Sequence, residues 1–240
     1  SLTVTNADLS TASAVIHVGS GAAGAKNNTL ENLVVIGSGN AATFLGIGFG
    51  GATVGSLGTD NDGNRVENCD VRRAQFGIAT QGASAANKDT GTVIMRNSLN
   101  TSGANRLGRG GIIATFEDGI QITDNDISGI VNSGSVDVFG ISLGGLTAWG
   151  NTTTSGGGEV TNALVTGNDI GTVRQTNRVS AAGIVLTPAG TGTKRTGPRS
   201  LHSRTVPRRT KRIRRCSSRA SPIGQIRMPS GASWSHSAGG

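Results

Sequence analysis

The segment Ile122-Thr123-Asp124-Asn125-Asp126-Ile127, followed by Gly140-Ile141-Ser142-Leu143, decides how this chain folds. Its first half sets an aliphatic residue, two variable positions, a stacking position, one more residue and a second aliphatic. That pattern recurs as Val4-Thr5-Asn6-Ala7-Asp8-Leu9, Leu30-Glu31-Asn32-Leu33-Val34-Val35, Val66-Glu67-Asn68-Cys69-Asp70-Val71, Ile94-Met95-Arg96-Asn97-Ser98-Leu99 and Val165-Thr166-Gly167-Asn168-Asp169-Ile170. Its second half recurs between these copies as Ile16-His17-Val18, Gly46-Ile47-Gly48-Phe49, Gly77-Ile78-Ala79-Thr80, Gly111-Ile112-Ile113-Ala114 and Gly183-Ile184-Val185-Leu186. The two patterns alternate strictly. Short period-two segments, joined by a tight polar turn and then a longer Gly/Ser/Thr/Asn loop, are what one coil of a β-solenoid requires.

Each coil would bury its aliphatic residues against the coils above and below. The fourth position of the first pattern reads Ala7, Leu33, Cys69, Asn97, Asn125 and Asn168, so Cys69, Asn97, Asn125 and Asn168 are expected to stack as a structural ladder. A buried amide needs partners, and the next coil supplies them. Successive stacking positions lie 26, 36, 28, 28 and 43 residues apart, which places the variation in the loops.

Composition agrees. The 240 residues include 39 glycines and no tyrosine, and only 3% are aromatic, so a core must come from Val, Ile, Leu and Ala. No apolar run approaches the ~18 residues of a membrane span. The chain opens on Ser1 and reads as processed or truncated. Its +8 charge is uneven: twelve basic and no acidic residues lie from position 194 onward, leaving −4 on residues 1–193. All five prolines fall from Pro188 onward, while asparagine stops at Asn177. The chain therefore divides into a repeat domain, 1–193, and an Arg/Ser/Pro-rich tail, 194–240. The tail reads as an out-of-frame translation, a disordered arm, or a basic module binding nucleic acid non-specifically.

The aliphatic-x-x-Asn-x-aliphatic turn, the Gly-Ile strand and the asparagine ladder resemble the right-handed parallel β-helix repeats of the pectin lyase-like superfamily, over about residues 1–190. The resemblance implies an all-β, right-handed parallel β-helix of about six coils. The Gly-Ile segments would form a first sheet, and the two halves of the other pattern a second and a third. It also implies a polysaccharide partner and an extracellular or cell-surface location. Related enzymes would carry acids on the outer face of the first sheet or a Ca²⁺ cluster beside a base. With the isoleucines inward, the outward columns read His17, Gly48, Ala79, Ile113, Ser142, Val185 and Gly19, Gly50, Gln81, Thr115, Gly144, Thr187, without a carboxylate.

Gln81, Thr115, Ser142 and Thr187 are thus the candidate ligand-binding residues. Glu117 and Asp118, which follow the fourth Gly-Ile strand, are the catalytic candidates, with a solvated turn pair as the plainer alternative. Asp60, Asp62 and Asn64 alternate as in short Ca²⁺ loops but lack a distal glutamate. Otherwise no cofactor is expected. Arg72 and Arg73 end a strand, His17 stands alone, and Cys69 with Cys216 makes no disulfide framework. The expected function is that of a secreted or cell-surface β-helix repeat protein, structural or carbohydrate-contacting, without an evident catalytic site. The alternative is a fragment of a polysaccharide lyase or glycoside hydrolase acting on uronate-containing glycans.

Overall fold

A computed structural model of the chain describes residues 1–145 and 157–187 in full and the backbone of Ser200–Leu201. The chain divides into two units, Ser1–Thr205 and Val206–Gly240. The second unit, and the basic tail apart from Ser200–Leu201, lie outside the described residues.

The described chain is all-β, its strands paired in parallel, with one short 3₁₀ turn at Gly103–Asn105. The first sheet comprises Ala14–Gly19, Leu45–Gly50, Phe76–Gln81, Gly110–Thr115, Val138–Leu143 and Ala181–Leu186, in chain order. The second comprises Thr29–Glu31, Arg65–Glu67, Val93–Met95, Gln121–Thr123, Leu164–Thr166 and Ser200–Leu201. The third comprises Leu2–Thr5, Leu33–Ile36, Asp70–Arg72, Ser98–Asn100, Asp126–Ser128 and Asp169–Ile170. The chain visits the three sheets in rotation and pairs each strand with its counterpart one coil away. That order is compatible with a parallel β-solenoid.

Register follows the aliphatic residues. Ile16, Ile47, Ile78, Ile112, Ile141 and Ile184 are successive partners in the first sheet. Leu30, Val66, Ile94, Ile122 and Val165 are successive partners in the second. Together with Val35, Val71, Leu99 and Ile127 of the third they fill one continuous core. The first copy of the repeat is phased differently from the sequence expectation. Val4 pairs with Val35, not Leu30, so Leu2–Thr5 is a third-sheet strand. Leu2, not Ala7, stands opposite Leu33, and Leu9 is exposed. Asn6, which the pattern sets just before the ladder position, donates its amide to Ala14 O at 2.7 Å.

The turn between the second and third sheets explains the motif. Asn32, Asn68, Arg96 and Asp124 have φ of 58°, 51°, 53° and 55°, and Gly167 has 68°. This left-handed residue turns the chain sharply, and Asn, Asp and Gly adopt it at least cost. The next residue then points inward. Asn97 Nδ2 donates to Val66 O at 3.0 Å and to Asn125 Oδ1 at 2.9 Å. Asn125 Nδ2 donates to Ile94 O at 3.0 Å and to Asn168 Oδ1 at 2.8 Å. The backbone N–H groups of Cys69, Asn97 and Asn125 donate to the asparagine oxygen of the following coil at 3.0 Å each. Cys69 is a buried free thiol at the end of this ladder, and Cys216 lies outside the described residues. A second ladder, absent from the sequence reading, joins Asn28 Nδ2 to Asn64 Oδ1 at 3.0 Å.

Each Gly-Ile strand departs from simple alternation. Added Cβ atoms on Gly77 and Gly111 would lie 2.2 Å from Leu99 Cδ2 and 2.6 Å from Ile127 Cγ2, so these glycines face the interior as the isoleucines do. The residue before the glycine is then turned outward. Leu45, Phe76 and Phe139 meet Phe44, Ala79 and Ile113 in a second apolar cluster on the outer face, with Val54 against it. Phe76 stacks on Phe139 at 5.9 Å between ring centroids and meets Phe44 edge-on at 5.5 Å. The outer face of the first sheet is therefore largely a second core.

Candidate functional site

A cleft of about 730 Å³ runs along the leading edge of the first sheet. Five successive coils contribute to it: Thr11 and Ala12; Asn40, Ala41 and Phe44; Gln75; Arg109; and Asn132, Gly134 and Val136. The loop containing Thr53, Val54 and Ser56 lines it as well. At the spacing of neighbouring β-strands, five coils extend the cleft roughly 19 Å along the stack. Its lining combines amides, hydroxyls, one guanidinium and a phenyl ring. Arg109 lies over the Phe76 ring at 5.0 Å from its centroid. Burial lowers the pKa of this guanidinium, and the charge of Asp137 opposes the shift. Asn132 Nδ2 donates to Gly108 O at 2.7 Å and Gln75 Nε2 to Ala41 O at 3.3 Å, so both amides are oriented by the backbone.

The residues expected to bind ligand are placed elsewhere. Gln81, Thr115 and Ser142 are buried in the outer columns of the first sheet. Thr115 donates to Gly145 O at 2.6 Å, whereas Gln81 Nε2 and Ser142 Oγ have no partner among the described residues. Thr187 donates to Leu143 O at 3.1 Å. The cleft residues Asn40, Phe44, Gln75 and Arg109 were missed because they precede the strands. Their signal is position: Phe44, Gln75 and Arg109 each stand immediately before Leu45, Phe76 and Gly110, which are ladder partners.

The Asp60, Asp62 and Asn64 triplet is divided. Asp62 lies 3.1 Å and Asp60 4.0 Å from Lys26 Nζ, which occupies the place a cation would take. Asn64 points inward, its Nδ2 donating to Asn61 O at 2.7 Å and Ala25 O at 2.8 Å. Burial pulls the Asp62 pKa upward, but hydrogen bonds from Thr90 and Lys26 outweigh it and hold the carboxyl below its ordinary range. Among the described residues, no group of three or more His, Cys, Asp or Glu side chains is placed to hold a metal.

Glu117 and Asp118 part company. Asp118 accepts from the Thr161 hydroxyl at 2.6 Å and the Asn162 amide at 2.7 Å near the surface. Glu117 is wholly buried, which removes the solvated-turn reading for this residue. It is the parallel ladder partner of Asp89, itself 1% exposed. Glu117 Oε1 accepts from Thr92 Oγ1 at 3.2 Å, and Asp89 Oδ1 accepts from the Asn61 backbone at 2.9 Å. Burial pushes Asp89 up to about 6, against the hydrogen bonds from Asn61. Burial, reinforced by the charge of Asp89, pushes Glu117 well above the usual carboxylate range.

His17 Nε2 contacts Gly51 O at 3.0 Å. Arg72 pairs with Asp70, and Arg73 donates to Ser38 O at 2.6 Å. Among the described residues, no helix is long and apolar enough to cross a membrane. No family model, curated protein or solved structure matches the chain.

Proposed function

We propose that this chain is a right-handed parallel β-helix of the pectin lyase-like kind that holds an extended polysaccharide along its axis without transforming it. The rotation of the chain through three parallel sheets and the stacked asparagine turns support the fold assignment. Right-handed crossovers are what parallel strands overwhelmingly adopt. The observation that carries the function is the direction of the cleft: it crosses five coils, so it suits a linear polymer of repeating units. Amides and hydroxyls match sugar hydroxyls, and the Phe44 edge supplies an apolar contact, the usual mixture of a ligand cleft. We propose with it a site of action outside the cell or at its surface, where such polymers lie.

Electrophoresis of the full chain through gels containing xylan or polygalacturonate tests this reading. Retardation by one of them is expected, and Gln75→Ala is expected to weaken it roughly tenfold, the loss of about one well-placed hydrogen bond. Unchanged migration in both gels contradicts the reading. Release of reducing or unsaturated ends would replace it with a polysaccharide hydrolase or lyase.

A further inference from the structure

The Asp89 and Glu117 carboxyls are unlike the other acids of the chain. They occupy equivalent positions on adjacent coils, as parallel ladder partners at strand spacing. Both are buried, and Asp89 Oδ2 and Glu117 Oε2 each lack a hydrogen-bond partner among the described residues. The groups around them are polar but neutral: the Asn61 backbone N–H, the Thr92 hydroxyl and the Thr80 hydroxyl.

Among the described residues, the charged groups nearby do not neutralise the pair. From the preceding coils Asp60 and Asp62 act on it with further negative charge. Lys26, from the same region, also feels the charge of Asp89, but its ammonium is held by Asp62 at 3.1 Å, with Asp60 at 4.0 Å. Lys88 adjoins Asp89 in sequence, but its ammonium lies 3.4 Å from the Glu159 carboxylate and donates to Thr161 Oγ1. On Glu117's own strand Asp118 is turned to Thr161 and Asn162. Two carboxylates at this separation, out of water, cannot both ionise at ordinary cost.

We propose that Asp89 and Glu117 form a buried proton-sharing carboxyl pair that clamps adjacent coils when protonated and loosens them when ionised, making the stack tightest in acid. The Asn61 N–H favours the ionised form of Asp89, so the last proton resides on Glu117, which donates it to Asp89 Oδ2. No bond other than this O–H···O contact changes. The proton comes from solvent and returns to it.

The sign of the linkage follows from the two raised carboxyls. A carboxyl whose folded value exceeds its unfolded value contributes stability that is complete below the unfolded value and is lost as pH rises through the folded one. For Asp89 that window runs from 3.8 to about 6. For Glu117 it begins at 4.5 and extends well above it. Asp62 has the opposite sign, but its stability is lost only as pH falls below 3.8, beneath this window.

The test is the melting midpoint of the full chain between pH 4.5 and 7.5, with an infrared spectrum at pH 7. The midpoint is expected to rise by about 5 to 10 °C on acidification. Asp89→Asn is expected to raise the pH 7 midpoint and flatten the profile. The infrared spectrum of the wild-type chain is expected to show the carbonyl stretch of a protonated carboxylic acid at pH 7, lost in Glu117→Gln. A midpoint that is level or falls on acidification, an Asp89→Asn profile as steep as the wild type, or a wild-type spectrum without that band at pH 7 would each overturn the proposal. So would a Ca²⁺-induced rise at pH 7 that abolishes the pH dependence, since the pair would then bind a metal ion and not a proton.

Discussion

Asn125→Leu is expected to cost about 3–5 kcal/mol, because it leaves several buried groups without partners at 1–3 kcal/mol each. The substitution keeps the volume and removes the amide. Asn97 N and Nδ2 then lose the Asn125 oxygen that both now reach, at 3.0 and 2.9 Å. Ile94 O loses a donor, and Asn168 Oδ1 loses the side-chain member of its two donors from Asn125. The loss sits mid-stack, where coils on both sides depend on it. Urea unfolding of the full chain measures it. Asn100→Ala serves as the comparison, since the side chain of Asn100 is exposed and donates to the Asp126 carboxylate at 3.0 Å. Surface changes of that kind typically fall within about 0.5 kcal/mol.

Gly111→Val is expected to be comparably severe, for a different reason. A Cβ at position 111 would lie 2.6 Å from Gly140 O and 2.6 Å from Ile127 Cγ2. Neither is the free end of a flexible chain: one belongs to the next coil's backbone and the other to a fully buried core residue. The coil spacing would have to open locally, breaking ladder hydrogen bonds on that edge. Overpacking of this kind costs typically 1–3 kcal/mol, and the backbone contact puts this case at about 3 kcal/mol or more. The same close approach recurs from Gly46 to Gly77 O, from Gly77 to Gly111 O and from Gly140 to Gly183 O, at 2.6, 2.7 and 2.6 Å. The Gly-Ile repeat is thus a column of glycines stacked carbonyl to Cα. Gly21→Ala, where an added Cβ meets nothing within 4 Å, is expected to leave the urea midpoint unchanged.

These two columns were the most legible part of the sequence because their chemistry is intolerant. An inward amide paired to the next coil and a glycine pressed against the next coil's carbonyl tolerate few replacements, and the first coils, with Leu2 and Leu33 in the ladder position and Val15 opposite Gly46, depart from both. The first coil was misphased because its motif is short and degenerate: Val4 and Leu9 fit the two aliphatic positions, which puts Ala7 in the ladder five positions beyond the true one at Leu2. Burial of Ala79 and Ile113 on the outer face could not be read from period two, since it depends on the glycine turning the preceding Phe76 outward and on Val54 arriving from a loop. Lys26 could not be foreseen between Asp60 and Asp62, because the loops that bring it there differ in length from coil to coil. Glu117 was legible as a chemical candidate but not as a buried one. The repeat contained the missing clue: Asn61, Asp89 and Glu117 are each 28 residues apart, the spacing that also separates Cys69, Asn97 and Asn125. Residues that share the ladder's spacing share its neighbours.

The central claim is that the described coils stack on one another through the inward asparagines Asn97, Asn125 and Asn168, and native-state hydrogen exchange of the full chain tests it most directly. The amides of Cys69, Asn97 and Asn125 donate to side-chain oxygens of the following coil, so they report the stacking itself. The account predicts that these three exchange in the slowest class, opening only with global unfolding. Exchange as fast as at the exposed Asp8 and Ser10 amides, whose only acceptors are side chains two residues back, would contradict it.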